Sequence, residues 1–212
     1  WRDGVLFGDM GEEVTGSVTF LAAAASRRAI LVRCGEELNK DGSVRYRMRC
    51  NCNYENEWQL SGRETDLVEF YDYMAFRYFE IHCPANTVFS DTVCAEIRHY
   101  PMQEESCVFQ TDDPQANQIF EICRRGVMLG TQEAFLDCPS REKGQYLGDG
   151  TITAHAHLLL TGDPAMYRKM LFDFAASAQI DPGLMAVAPG NEMQEIADYS
   201  CQYPEQLLTY YR

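Results

Sequence analysis

The sequence predicts a multidomain α and β protein, with an antiparallel β-sandwich at the N-terminus and helices in the second half. Three observations lead to this prediction. Up to about residue 100, apolar residues alternate with polar ones in short segments, which is typical of half-buried strands. Turn-forming residues separate these segments, and beyond residue 110 the apolar residues recur at helical spacing. We expect domains at 1–108 and 109–212, joined by a linker within 101–110.

The first half contains several short candidate strands. They cover residues 14–20, 29–32, 44–50, 76–81 and 92–97. Many short strands with turn signals between them favour a β-sandwich. In the third segment Arg45, Arg47 and Arg49 form one face, which we interpret as solvated rather than as a ligand surface. Cys50 and Cys52 would then occupy alternating strand positions, because two thiols alone do not make a zinc site.

The second half begins with a helix whose start has clear signals. Asp113 can cap it and Pro114 fits its first turn. Its predicted apolar stripe ends near Gly130 and consists of Ala116, Ile119, Phe120, Cys123 and Val127.

Three more helices follow in the prediction. The second ends at Gly162 and buries a face made of Ile152, Ala156, Leu159 and Leu160. The third starts at Asp163 and Pro164, is stopped by residues 181–183, and buries Met166, Met170, Phe174 and Ala178. Residues 187–191 are expected to form a loop, and Pro204 to open the last helix.

Composition narrows the classes of function. With 18 Lys plus Arg against 32 Asp plus Glu, the formal net charge is −14, so nucleic acid is an unfavourable partner. A neutral sugar suits this charge. The nine cysteines show no disulfide spacing and are interpreted as mostly reduced, which slightly favours a cytoplasmic over a periplasmic location. No apolar run has transmembrane length, so no membrane partner is expected. Because the chain starts at Trp1 and ends within a helical pattern, we interpret it as an internal piece of a longer protein.

The segment 135–150, FLDCPSREKGQYLGDG, is the richest in chemistry. It carries the carboxylates Asp137, Glu142 and Asp149. Pro139 and Gly144 disfavour a helix there, so at least the first half should be a loop. In so acidic a chain, such a cluster could be a solvated surface loop. Spacing alone favours this interpretation slightly. The alternative is the wall of a site, since loops on a rigid scaffold often carry function.

The same segment resembles the signature of the inverting α-L-rhamnosidases. The matching motif is DCPSRE from Asp137 to Glu142, followed by Gly148 and Asp149. Weaker similarity to the β-domain of these enzymes lies in residues 7–11 and 76–81. The resemblance implies that the helices open an (α/α)6 toroid. It also implies an enzyme that cleaves a rhamnose-containing glycoside, without a cofactor.

The resemblance implies a role for each polar residue of the loop. Glu142 would be the general acid, which must stay protonated until it gives its proton to the leaving oxygen. Asp137 and Asp149 would accept hydrogen bonds from sugar hydroxyls. Tyr146, where the family often has Trp, would cover the apolar face of a 6-deoxy sugar. Arg141 would bind Asp137 or backbone carbonyls, or would instead pair with Glu142.

Some assignments stay open at this stage. Asp149 could be the N-cap of the second helix as well as a sugar ligand. The resemblance places the general base beyond residue 212, and Glu192, Glu195 and Asp198 are at most weak candidates for substrate contact. His155 and His157 would point about 200° apart on a helix, so no metal site is expected.

Two other functions remain as alternatives. The chain could belong to a non-catalytic carbohydrate-binding protein whose acidic loop is structural. It could also belong to a toroidal glycosidase that acts on another sugar. The aglycone, the linkage and the oligomeric state are not predicted.

Overall fold

A computed structural model describes residues 4–102, 106–179, 183–190 and 192–212. The chain forms two compact units, one ending at Arg98 and the other beginning at His99. Among the described residues, no helix combines the length and the hydropathy needed to cross a bilayer.

From residue 4 onwards, where the description begins, the first unit is an antiparallel sheet of six strands. They are β1 (Val5–Ala23), β2 (Ala29–Gly35), β3 (Glu55–Gln59), β4 (Asp66–Val68), β5 (Met74–His82) and β6 (Val88–Ile97). The order is β3-β2-β5-β1-β4, and β6 also pairs with β1. The 19-residue β1 therefore organises the sheet by pairing with β4, β5 and β6.

The predicted alternation fills the core of this unit. Val18, Phe20 and Ala22, two residues apart on β1, are all buried. They share one cluster with Ile30 and Phe76 from β2 and β5. Successive strand side chains point to opposite faces, so a period of two in the sequence becomes one continuous apolar surface.

The predicted strand at 44–50 is wrong in its backbone but largely right about its buried face. Only isolated bridges occur there, and Cys50 and Asn51 have φ of 56° and 59°. These left-handed conformations turn the chain sharply, so Cys50 and Cys52 do not occupy alternating strand positions. Val44 is nevertheless buried, and Tyr46 and Met48 pack against the core.

Two strands were missed because their sequences carry little apolar signal. β3 reads ENEWQ and lies at one end of the strand order, so only Trp58 marks it. The three-residue β4 pairs with the end of β1. A very short strand, or a strand at the edge of a sheet, shows little of the apolar alternation from which strands are predicted.

In the residues of the second unit that the structure describes, the chain forms four helices and one hairpin. The helices are α1 (Pro114–Gly130), α2 (Leu147–Thr161), α3 (Ala165–Ser177) and α4 (Ala197–Tyr211). The hairpin pairs β7 (Ala186–Ala188) with β8 (Glu192–Glu195). Asp113 caps α1 by accepting a 2.9 Å hydrogen bond from Gln115 N, as predicted. Gly162, with φ of 67°, ends α2 in the left-handed conformation that glycine favours.

The buried stripe of α3 is confirmed except for Ala178, which follows the end of the helix and is only half-buried, whereas the stripe of α2 is wrong. Met166, Met170 and Phe174 are at most 5% exposed. On α2, however, Ile152 and Leu159 are 75% and 70% exposed. The residues of α2 that are buried are Leu147, Gly150, Ala154 and His157. A side chain at position 150 would meet Met170 Sδ, so this part of the packed face requires a small residue.

Three further expectations change in the second unit. α4 starts at Ala197 and contains Pro204 in its interior. Val187 lies in β7 rather than in a loop, and the predicted stop at residues 181 and 182 lies outside the described residues. On α1, Ile119 is 54% exposed, so its apolar stripe is only partly covered in this chain.

Gly16 of β1 is expected to be irreplaceable. A Cβ there would lie 2.0 Å from the Glu96 carbonyl oxygen of the paired β6. Because backbone cannot yield cheaply, Gly16→Ala should destabilise the protein by about 2–3 kcal/mol. Urea unfolding followed by circular dichroism measures the change.

Gly126→Ala is the matched control. Position 126 lies inside α1 with nothing within 4 Å of an added Cβ. This exchange should stabilise α1 by roughly 0.5–1 kcal/mol. Equal unfolding midpoints for the two variants would contradict the packing assigned to Gly16.

Candidate active site

A pair of hydrogen bonds closes the loop that precedes α2. Asp137 N donates to Gly144 O at 2.9 Å, and Gly144 N donates to Asp137 Oδ1 at 2.8 Å. We call this pair the clasp. It holds residues 138–143 as a compact loop whose root, Phe135, is fully buried. One carboxylate of the predicted site is thus fixed by backbone on its own loop.

Glu142 lies near the tip of the loop and is paired with its neighbour. The Arg141 guanidinium forms an ion pair with Glu142 Oε1, the arrangement that the sequence left as the alternative for Arg141. Their side chains are 44% and 32% exposed, so the pair is reachable from solvent. Glu142 N donates to Cys138 Sγ at 3.5 Å, which gives this half-buried thiol a local structural role. Lys143 follows at φ of 53° and turns the chain back to the clasp.

Tyr146 connects the loop to α2. It is the N-cap residue, half-buried, with an extended backbone. Its ring lies over Gly144, where a Cβ would come within 2.4 Å of the ring. The glycine that donates to Asp137 therefore also makes room for the aromatic ring.

Asp149 lies in the first turn of α2 and is not its N-cap, so that alternative is wrong. Its neighbour from α4 is Tyr199, whose phenol lies close enough to feel the charge of the Asp149 carboxylate. The Tyr199 ring lies on Gly148, 2.5 Å from where a Cβ would be. Burial raises the pKa of Tyr199, and the charges of Asp149 and Asp198 raise it further. Tyr199 therefore remains a neutral hydrogen-bond donor near pH 7.

Each of the three predicted carboxylates has a different environment. Asp137 accepts a hydrogen bond from the backbone, Glu142 forms an ion pair with a guanidinium, and Asp149 lies near a phenol. Sequence reasoning missed Tyr199, because one tyrosine among several in α4 carries no distinguishing signal. Of the weaker candidates, Glu195 and Asp198 are exposed, and the side chain of residue 192 lies outside the described part.

His157 lies behind the loop in the core of the unit. Its ring packs edge-on against Phe135 and Tyr100, with centroids 5.3 and 5.8 Å away. Tyr100 donates a 3.0 Å hydrogen bond to Asp163, and Asp163 also accepts from Ala165 N at 2.8 Å. In the ranges that the structure describes, no three metal-ligating side chains come together.

Two family profiles together match almost the whole chain. The bacterial alpha-L-rhamnosidase 6 hairpin glycosidase domain matches residues 104–211, and the bacterial alpha-L-rhamnosidase concanavalin-like domain matches residues 1–99. None of the curated protein sequences compared matches the chain significantly.

Solved structures share the fold at low sequence identity. The GH78 family rhamnosidase of Bacillus sp. GL1 is 21% identical, with a TM-score of 0.82 over 99% of this chain and 22% of that one. A rhamnosidase from Klebsiella oxytoca with rhamnose bound is 18% identical, with a TM-score of 0.72 over 97% of this chain and 43% of that one. The Streptomyces avermitilis α-L-rhamnosidase complexed with L-rhamnose is 21% identical, with a TM-score of 0.72 over 89% and 18%.

A concanavalin-like sheet unit followed by helices of a six-hairpin domain defines the class of six-hairpin glycosidases. Within this class, the chain belongs to the bacterial α-L-rhamnosidase family. The predicted fold, a β-sandwich followed by toroid helices, is confirmed, as is the resemblance read from the DCPSRE motif. The chain spans less than half the length of each of these solved rhamnosidases.

Stability of the second unit should depend on pH through His157. Burial lowers the pKa of its imidazole below the ordinary 6.5, and the negative Asp163 offsets part of this. Below pH 6.5 the unfolded chain therefore binds a proton that the folded chain does not. The contribution of His157 to the free energy of unfolding should reach its full value above pH 6.5. It should fall as pH drops towards the pKa of His157 in the folded protein, by at most about 1.4 kcal/mol per pH unit.

His157→Leu should remove this slope, measured as urea unfolding between pH 5 and 8. His155→Gln is the control, because His155 is exposed on the same helix. If His155→Gln flattened the pH dependence and His157→Leu did not, the buried imidazole would not be its source.

Proposed function

We propose that the protein containing this chain hydrolyses terminal α-L-rhamnosyl residues of glycosides or polysaccharides, with inversion at the anomeric carbon. Family membership carries this proposal, because the DCPSRE motif occupies the loop before α2. Solved relatives whose names include bound rhamnose support a sugar ligand. Inversion needs one carboxyl group as acid and a second as base on the opposite side of the sugar.

Glu142 is the proposed general acid. Its side chain lies at the loop tip and is partly exposed, so a leaving oxygen can reach it. A carboxyl group donates a proton only in its neutral form, so the ion pair with Arg141 has to open when substrate binds. Arg141 is then available to a sugar hydroxyl. The general base is proposed to lie outside these residues, and this chain alone should be inactive.

The two aspartates are proposed to hold sugar hydroxyls. A carboxylate accepts several hydrogen bonds at once, and the Asp149 carboxylate lies beside the phenol of Tyr199. A sugar hydroxyl could therefore donate a hydrogen bond to Asp149. Tyr146 is proposed to cover the apolar face and the methyl group of the 6-deoxy sugar, because its ring is held over Gly144 by the loop backbone.

Glu142→Gln tests the acid, in the longest natural chain that contains these residues. For a phenyl α-L-rhamnoside, kcat should fall about 10²–10⁴-fold, since the leaving oxygen loses its proton donor. A nitrophenyl leaving group needs less protonation, so its kcat should fall less. Proton NMR of the first product should show the anomer inverted from the substrate.

Glu133→Gln serves as the matched control, because Glu133 is exposed and lies a few residues before the loop in the sequence. Its kcat should stay within about twofold of wild type. Retained hydrolysis in Glu142→Gln would remove Glu142 from the mechanism. Rhamnose binding without any hydrolysis by the wild-type protein would favour a non-catalytic carbohydrate-binding protein.

A further inference from the structure

Gln145 is a buried polar residue to which the proposed mechanism assigns no role. It lies between Gly144 of the clasp and Tyr146, and it is only 6% exposed. Its side chain leaves the loop and reaches α3, where Nε2 donates to Asp173 Oδ2 at 3.0 Å. The same oxygen accepts from Lys169 Nζ at 2.6 Å, one helical turn earlier. The loop is therefore bonded to a helix that carries none of the proposed catalytic groups.

The carbonyl oxygen of the Gln145 side-chain amide shows why the bond to Asp173 matters. Gln145 Oε1 is buried and has no hydrogen-bond partner among the described residues. An unsatisfied buried acceptor lowers stability, so an apolar side chain would fill this place at less cost. The amide is thus poorly explained by stability alone, and the bond to Asp173 is what it provides.

The hydrogen bond from Gln145 to Asp173 constrains Gly144 and Tyr146, the two residues next to Gln145 in the sequence. Gly144 donates to Asp137 Oδ1, and Tyr146 lies with its ring against Gly144. Fixing the backbone at position 145 therefore fixes the direction of the Tyr146 ring and one hydrogen bond to Asp137. α3 is a firm anchor, because Met170 and Phe174 on it are fully buried.

We propose that Gln145 is a positioning residue that ties the sugar-binding side of the loop to α3 through Asp173. The inference rests on the proposed function, since Tyr146 and Asp137 are taken to bind the sugar. Loss of the tether loosens groups that hold the sugar in the ground state and the transition state alike. Such a loss raises KM while kcat stays nearly constant.

Gln145→Glu places a carboxylate against Asp173 and breaks the tether with almost no change in size. KM for the phenyl rhamnoside should rise about tenfold, with kcat within about threefold of wild type. Gln145→Glu combined with Asp173→Asn exchanges donor and acceptor, so KM should return to within about threefold. Gln118→Glu, the same change at an exposed position of α1, should leave both constants unaltered.

Gln145→Met separates positioning from folding. It removes the unsatisfied oxygen and keeps the volume, so its unfolding midpoint should equal or exceed that of wild type while KM rises. An unchanged KM in Gln145→Glu, or a double variant as impaired as the single one, would overturn the proposal.

A second readout does not depend on activity. Amide hydrogen exchange in the segment 144–150 should be several-fold faster in Gln145→Glu and restored in the double variant. If the wild-type protein cleaves no rhamnoside, the proposed function fails, yet this measurement still tests the tether. Unchanged exchange in Gln145→Glu would show that the loop does not depend on Asp173.

Discussion

Two hydrogen bonds between Asp137 and Gly144 set the shape of the loop on which the rest of the site depends. They return the chain to its starting point within a few residues, at the cost of a left-handed Lys143. Glu142 and Arg141 lie on the loop with partly exposed side chains. Tyr146 lies at the start of α2. A flexible loop of this composition would scatter its charges in solvent. The clasp gives them fixed places, which the proposed hydrolysis of a sugar would require.

Glycines in the loop and in the first turn of α2 allow neighbouring side chains to approach closely. Tyr146 covers Gly144, Tyr199 covers Gly148 and Met170 reaches Gly150. At each place a methyl group would collide with the incoming side chain. These glycines therefore allow close packing by side chains from the start of α2, from α3 and from α4.

The sequence was most informative where a local rule fixes the local structure. Asp113 and Gly162 act over a few residues, and the apolar face of α3 follows a clean helical period. The prediction for α2 failed because Ile152 and Leu159 are exposed. The face that packs consists of Leu147, Gly150, Ala154 and His157. The strand predicted at residues 44–50 failed because two residues in the left-handed conformation, Cys50 and Asn51, turn the chain despite the alternating pattern.

The site was predictable as a set of residue types but not as a set of contacts. DCPSRE identified the loop and its carboxylates from their order along the chain. Tyr199 and Asp173 belong to α4 and α3, and only the packing of these helices brings them to Asp149 and Gln145. A single sequence carries no record of such distant pairs.

The Tyr199 ring that lies on Gly148 has a consequence for synthesis on the ribosome. Gly148 is translated long before Tyr199. During that interval no ring covers the glycine. The packing around the start of α2 is therefore completed only after α4 has been made, so nascent fragments that stop before α4 carry the signature motif without its packed surroundings.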